Sequence, residues 1–167
     1  MRLALLARGA GVKRVVFVNR RVSESCSRVV QRFEQGMGEG VREREGWAGC
    51  EFGVLTPEDG GYEKKLGEVL READVIFCCT PSMKALFDGG VLATEEGRKK
   101  GRLVVAIGSY TPEMREIPGE LIREAIGAGA GPGGREAGVV VVDTIEGALI
   151  EAGELIEEGV KHEQLVE

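Results

Sequence analysis

The residues with the most chemical potential form one short run, Asn19-Arg20-Arg21-Val22-Ser23. Two guanidiniums flanked by polar side chains can clamp a phosphate dianion through charge-assisted hydrogen bonds. The same letters also make a solvated basic turn that caps a helix, and spacing alone leaves both readings open. Four cysteines stand at 26, 50, 78 and 79, and His162 is the only histidine. A zinc site needs about four Cys/His ligands with pairs two to four residues apart, so no structural metal is expected. Adjacent Cys78 and Cys79 are expected to point to opposite faces of a buried strand, as small hydrophobes. His162 lies in a polar tail, and nothing in the sequence places it within reach of a substrate proton. Glu113 and Glu116 are expected to cap a surface helix. Trp47 is expected to be a local packing anchor in a glycine-rich stretch.

Two glycine clusters have the letters of a phosphate cradle but the wrong context. A dinucleotide turn follows a strand and opens a helix. Gly9-Ala10-Gly11 instead follows the apolar stretch Leu3 to Ala7 and precedes a strand, which fits a helix-ending turn. The run from Gly127 to Gly134 likewise follows a helix and precedes a strand, and Pro132 within it favours a loop.

The chain has 167 residues, enough for one domain with a real core. Its 43% hydrophobic and 30% charged residues argue against wholesale disorder. A net charge of −6, with no basic cluster beyond Arg98-Lys99-Lys100, argues against nucleic-acid binding. No apolar run approaches the roughly 18 residues that cross a bilayer. Met1 to Ala7 is too short for a signal peptide and Arg8 follows at once. A soluble, cytoplasmic protein is expected.

The elements that would position these residues alternate in type. Lys13 to Asn19 is a β-branched run that reads as a buried strand. Ser23 is a good N-cap for a helix whose Cys26, Val29, Val30 and Phe33 recur at helical spacing. Gly36 to Gly49 reads as a loop or loose insertion. Cys50 to Leu55 is a second strand, and Tyr62, Leu66, Val69 and Leu70 mark the next helix. Asp74 to Cys79 is a third strand, stopped by Thr80-Pro81. Leu92 to Lys100 suits a short helix, and Leu103 to Ile107 a fourth strand ended by Gly108. Pro118 suits the first turn of a helix carrying Leu121, Ile122 and Ala125. Val139 to Val142 is a fifth strand, and Ile145 to Ala152 a last helix before a polar tail. Short strands, apolar on both faces and separated by helices, predict a parallel α/β sheet with helices on both sides. Ligands of such sheets bind beyond the carboxyl ends of the strands. Those ends are Asn19-Arg20-Arg21, Thr80-Pro81-Ser82 and Gly108-Ser109-Tyr110.

Several segments together resemble the ornithine cyclodeaminase/mu-crystallin family. They are Val18-Asn19-Arg20, Ala73 to Ile76, Cys79 to Ser82, Ala106 to Glu116, Val142-Asp143-Thr144 and Glu151 to Leu155. They occur in order through nearly the whole chain, and Ala106 to Glu116 is the most specific. The resemblance implies a Rossmann-like domain over residues 1–150, lacking its first strand and Gly-x-Gly-x-x-Ala turn. It implies that residues 151–167 are a helix and tail leading towards an absent substrate domain, so that the chain is truncated at both ends. It further implies binding of NAD(P), with NADP(H) favoured over NAD(H), and hydride transfer to or from an amino acid or cyclic imine. By resemblance, Asn19 and Arg20 face the adenosine ribose and its 2′-phosphate, with Arg21 beside them. Thr80 and Pro81 lie along the cofactor, and Ile107, Gly108 and Ser109 approach the nicotinamide.

Tyr110 stands where the cyclodeaminases of that family carry an aspartate. A phenol with a reference pKa of about 10 does not replace a carboxylate base, which disfavours strict cyclodeamination. The reading is therefore the cofactor-binding half of an NAD(P)-dependent amino-acid or cyclic ketimine oxidoreductase or cyclodeaminase-like protein, inactive as this fragment. The alternatives are a mu-crystallin-like binding protein without turnover and a fold fragment without function. Strands left with an unpaired edge predict self-association into a homo-oligomer.

Overall fold

A computed structural model describes residues 11–21, 23–35, 40–44, 48–127 and 138–167. The stretch from Leu3 to Ala7, most of both glycine clusters, and Trp47 lie outside the described residues. The chain divides into two compact units, Met1–Val69 and Leu70–Glu167.

In the first unit, strand β1 (Arg14–Val18) pairs in parallel with β2 (Glu51–Leu55), register Arg14↔Glu51 through Val18↔Leu55. A parallel pair needs a crossover, and helix α1 (Glu24–Glu34) lies within it. Ser23 caps α1 as its type predicts, its hydroxyl accepting from the Cys26 N–H at 3.1 Å. Phe33 of α1 packs on Phe17 of β1 and Phe52 of β2, both with ring centroids at 5.9 Å. This aromatic trio fixes the helix over the strand pair. Val29 was expected on the inward face of α1 but is exposed.

The stretch read as a loose insertion contains a short helix, α2 (Val41–Arg44), which follows Gly40 at φ +68°. Arg42 anchors it. Its guanidinium donates to the carbonyls of Glu34, Ala48 and Cys50 and lies 5.5 Å from the Phe52 ring centroid. Five planar donors and a stacking face let one side chain hold three backbone acceptors and a ring. Beyond β2, Thr56 is almost fully buried, and both its N–H (2.7 Å) and its hydroxyl (3.1 Å) donate to one Asp59 carboxylate oxygen. Gly61, at φ +71°, turns the chain into α3 (Tyr62–Glu72), which buries Leu66 and Leu70.

In the second unit, β3 (Val75–Cys78) pairs in parallel with β4 (Leu103–Ala106), Val75↔Leu103 to Cys78↔Ala106. β3 alternates: Ile76 and Cys78 are buried, Val75 and Phe77 exposed. It ends one residue earlier than expected, leaving Cys79 exposed rather than inside a buried strand. Between the strands come a 3₁₀ turn (Gly89–Val91) and helix α4 (Glu95–Lys99), the latter within the stretch Leu92 to Lys100 expected to be a short helix. Helix α5 (Gly119–Gly127) follows Pro118 as predicted, and β5 (Val140–Val141) follows the undescribed segment.

The helix expected from Ile145 to Ala152 is α6 (Ile145–Glu151), and a further helix, α7 (Gly153–Glu157), follows it after a break at Ala152. The break is tertiary in origin. A Cβ at Gly153 would stand 2.1 Å from the Met114 carbonyl oxygen and 2.5 Å from that of Pro112. Only glycine tolerates so close a backbone approach.

The tail read as polar is also structured. Val160 and Leu165 are buried, and β6 (Leu165–Val166) pairs in parallel with β5. They join Ile122, Ile145 and Leu155 in one apolar cluster, with Ile117, Ile126, Val140 and Leu149 packed against it. Each such side chain contributes roughly 1.5–3 kcal/mol when removed from water, so these residues hold α5, α6, α7 and the β5–β6 pair together.

The architecture is thus mixed α/β with parallel strand pairs, as the alternation predicts. It departs from the predicted continuous sheet, since the described strands form three separate two-stranded pairs. The strands are only two to five residues long and offer short ladders. No helix of the described residues is long and apolar enough to cross a membrane.

Two outcomes follow. Hydrogen bonds from Thr56, backbone first and hydroxyl second, lower the Asp59 pKa. A lowered folded-state pKa adds stability above the unfolded value of about 3.9, lost as pH falls through the folded value. Asp59→Ala should therefore lower Tm at neutral pH, with the deficit shrinking in thermal melts taken below about pH 4. The second outcome concerns thiols. Burial, then the Glu116 carboxylate, pushes the Cys78 thiol up to about 12, and the thiolate is the reactive form. Iodoacetamide at pH 8 should modify Cys79 and spare Cys78 until the protein unfolds, read by fragment-ion mass spectrometry. Equal rates at the two would contradict the burial alternation of β3.

Candidate functional site

The carboxyl ends of β3 and β4 are joined by a single carboxylate. Glu116 is fully buried. Its Oε1 accepts from the Thr80 N–H at 2.5 Å. Its Oε2 accepts from the N–H groups of Ile107 at 3.0 Å and Gly108 at 2.5 Å. The Ile107 N–H is shared with the Cys78 carbonyl, 3.1 Å away. Three backbone donors thus converge on one anion, a charge-assisted arrangement that offsets the cost of burying it.

The local chain explains how an acid reaches this point. After β4 the backbone turns at Thr111 to Met114, the Met114 N–H donating to the Thr111 carbonyl at 2.9 Å. Arg115 then runs parallel to Met83 in an isolated bridge. The Arg115 N–H donates to Ser82 (2.7 Å), and the Leu86 N–H donates to the Glu116 carbonyl (3.0 Å). The Arg115 guanidinium pairs with Glu157 of α7. Residues 115 and 116 therefore act as a short extra strand beside residues 82–86. Gly108 completes the approach. A Cβ there would stand 2.6 Å from the Glu116 carboxylate and 2.6 Å from the Thr80 carbonyl oxygen.

This overturns the expectation that Glu116 caps a surface helix. No periodicity in the sequence marks it, because its partners are backbone groups brought together only by the fold. The one available signal was Gly108 at a strand end, since a glycine there often marks a close backbone neighbour.

The expected site residues fall into two sets. In the second unit, Thr80, Ile107 and Gly108 meet through Glu116, with Pro81 and Ser109 the next residues along their loops. Thr80 and Pro81 are exposed, Ile107 is 69% exposed, and Gly108 is buried. The Ser109 hydroxyl is buried without a hydrogen-bond partner. Tyr110 is 60% exposed. Ser82 closes on its own turn, accepting from the Lys84 N–H and donating to the Lys84 carbonyl. A second acid, Glu154 of α7, is also buried, and its Oε2 has no partner. Both Glu116 and Glu154 add to the upward push on Cys78.

In the first unit, Asn19, Arg20 and Arg21 stand exposed just past the carboxyl end of β1. The Asn19 N–H donates to the Leu55 carbonyl at 3.0 Å, continuing the β1–β2 ladder. The Asn19 side-chain oxygen accepts from the Arg20 N–H at 2.9 Å. Neither Arg20 nor Arg21 has an ion-pair partner among the described residues. No group of three or more potential metal-ligating side chains occurs among the described residues.

Comparison with known proteins supports the fold and leaves the activity open. No family model matches the chain. The uncharacterized protein YGL159W of Saccharomyces cerevisiae is 32% identical over 97 residues, 57% of this chain and 25% of that protein. The crystal structure of a probable ornithine cyclodeaminase from Bordetella pertussis Tohama I matches with a TM-score of 0.54 and 20% identity. That match covers 99% of this chain and 49% of the other. The chain spans about a quarter of the yeast protein and about half of the solved one. At this identity the likeness is one of fold: the chain has a mixed α/β architecture with parallel strand pairs, like that of the probable ornithine cyclodeaminase structure.

Proposed function

We propose that this chain is the cofactor-binding part of an NAD(P)-dependent protein acting on an amino acid or cyclic imine, with NADP(H) preferred over NAD(H). The observation that carries the reading is the pair of exposed guanidiniums, Arg20 and Arg21, at the carboxyl end of parallel strand β1, with no ion-pair partner among the described residues. Ligands of parallel α/β folds bind at that end of the strands. The likeness in fold to a probable ornithine cyclodeaminase supports the same reading.

The residues present fit two chemically different ends of a dinucleotide, each assigned on its own unit. Arg20 and Arg21, with the exposed Asn19 beside them, suit the 2′-phosphate, which takes charge-assisted donors in a planar fork. Thr80, Pro81, Ile107, Gly108 and Ser109 offer a different surface. Their converging N–H groups at Thr80, Ile107 and Gly108 are already filled by Glu116. What projects is the apolar bulk of Pro81 and Ile107, suited to a flat ring. When bound, a nicotinamide cofactor supplies the hydride chemistry. This chain's residues would bind and orient it, and none is assigned as the catalytic acid or base.

One observation favours a second reading, a binding protein without turnover. The acid at the β3–β4 end is fully buried and spends its oxygens on backbone donors, so it is not placed to move a substrate proton. Cofactor binding tests what both readings share. Fluorescence titration should show NADPH binding more tightly than NADH. Arg20→Ala should weaken NADPH about tenfold, the worth of one charge-assisted hydrogen bond, and change NADH little. Equal loss for the two cofactors would sink the 2′-phosphate assignment.

Self-association belongs to the same proposal, because each strand pair is only two strands wide among the described residues. Light scattering over a concentration series should show mass rising with concentration. A constant monomer mass would count against it.

A further inference from the structure

We propose that Glu116 is a positioning residue for the ring-bearing end of the dinucleotide, holding the two loops that receive it and keeping phosphate out of that place. The inference rests on the dinucleotide reading above.

Three backbone N–H groups aimed at one point make a ready anion seat. In this fold the seat is filled from within. The Glu116 carboxylate takes the Thr80 N–H on one oxygen and those of Ile107 and Gly108 on the other. Two consequences follow. A ligand phosphate finds no open N–H among these three donors, so the surface beside it accepts an uncharged ring. The loop after β3 and the loop after β4 are also tied at fixed separation, through opposite oxygens of one rigid, planar group. Gly108 is the matching half of the device, because a Cβ there would overlap the carboxylate at 2.6 Å. Glu116 itself is fully buried and touches no ligand. It acts only through Thr80-Pro81 and Ile107-Gly108-Ser109.

The test compares ligands that probe different ends of the cofactor. Wild type and Glu116→Ala are titrated with NADPH and with adenosine 2′,5′-bisphosphate, each with and without formate. The alanine variant should bind NADPH at least about tenfold more weakly, since three donors lose their acceptor. Its affinity for the bisphosphate should stay within about twofold, because that ligand lacks the ring. Formate should refill the seat and restore NADPH binding in the variant, while leaving wild type unchanged. A merely structural role would move both ligands together, and that outcome overturns the proposal, as does unchanged NADPH affinity. If Glu116→Ala does not fold, Glu116→Gln decides. Its amide keeps one acceptor but turns an NH₂ towards the donors, so NADPH should weaken, the bisphosphate should hold, and formate should not rescue. Unchanged NADPH binding in that variant overturns the proposal equally. Wild-type protein that binds neither NADPH nor NADH would bring down the dinucleotide reading itself, and this inference with it, before any variant is made.

Discussion

A carboxylate removed from water must be matched by donors, or the fold loses more than the buried side chain returns. Glu116 meets that condition with three backbone N–H groups at the ends of two parallel strands. The requirement works in both directions. The acid needs those donors, and the donors sit at strand ends where the ladder is running out, only the Ile107 N–H still reaching a strand carbonyl, that of Cys78. One carboxylate therefore ties the loop after β3 to the loop after β4, while backbone hydrogen bonds hold the 82–86 segment against residues 115 and 116. Gly108 and the turn from Thr111 to Met114 are the accommodations that let the acid arrive.

The rest of the second unit braces that arrangement. Arg115 pairs with Glu157, and Arg123 of α5 pairs with Glu158 at 2.5 Å. These pairs are partly exposed, and such pairs are worth no more than about 1 kcal/mol each. The greater hold comes from the apolar cluster of Ile122, Ile145, Leu155, Val160 and Leu165. It seats α7, whose Glu157 reaches the strand carrying Glu116. The first unit is organised on another principle: an aromatic trio, and one arginine that satisfies three carbonyls.

Much of the element order was legible in the sequence. The β-branched runs at Val15, Val75 and Val104 fall in strands, and Ser23 and Pro118 mark helix starts as their chemistry dictates. The misses share a cause. β6 is two residues long, too short for any period to register, and is a strand only because β5 lies beside it. The helix from Ile145 was read to its observed end, but α7 beyond it was not separated from the tail, because its placement against the carbonyls of Pro112 and Met114 is set by residues distant in sequence. Arg42 looked like one charge among several in a polar stretch, yet it organises that stretch. Of the candidate site, the strand-end loops were legible because apolar runs stop there. The residue that joins two of them was not, since a buried acid bonded to backbone leaves no complementary side chain to find.

The close contact at Gly153 has a reach beyond its own helix. Its α-carbon abuts the turn that delivers Arg115 and Glu116, so any side chain there would push that turn outward. The displacement would pass along a few covalent bonds to the carboxylate and then to both strand ends. A helix residue is thereby coupled to the carboxyl ends of β3 and β4. Divergent copies of this fold that keep the clamp should keep glycine there, and those that lose it should show drift at Gly108 and Glu116 together.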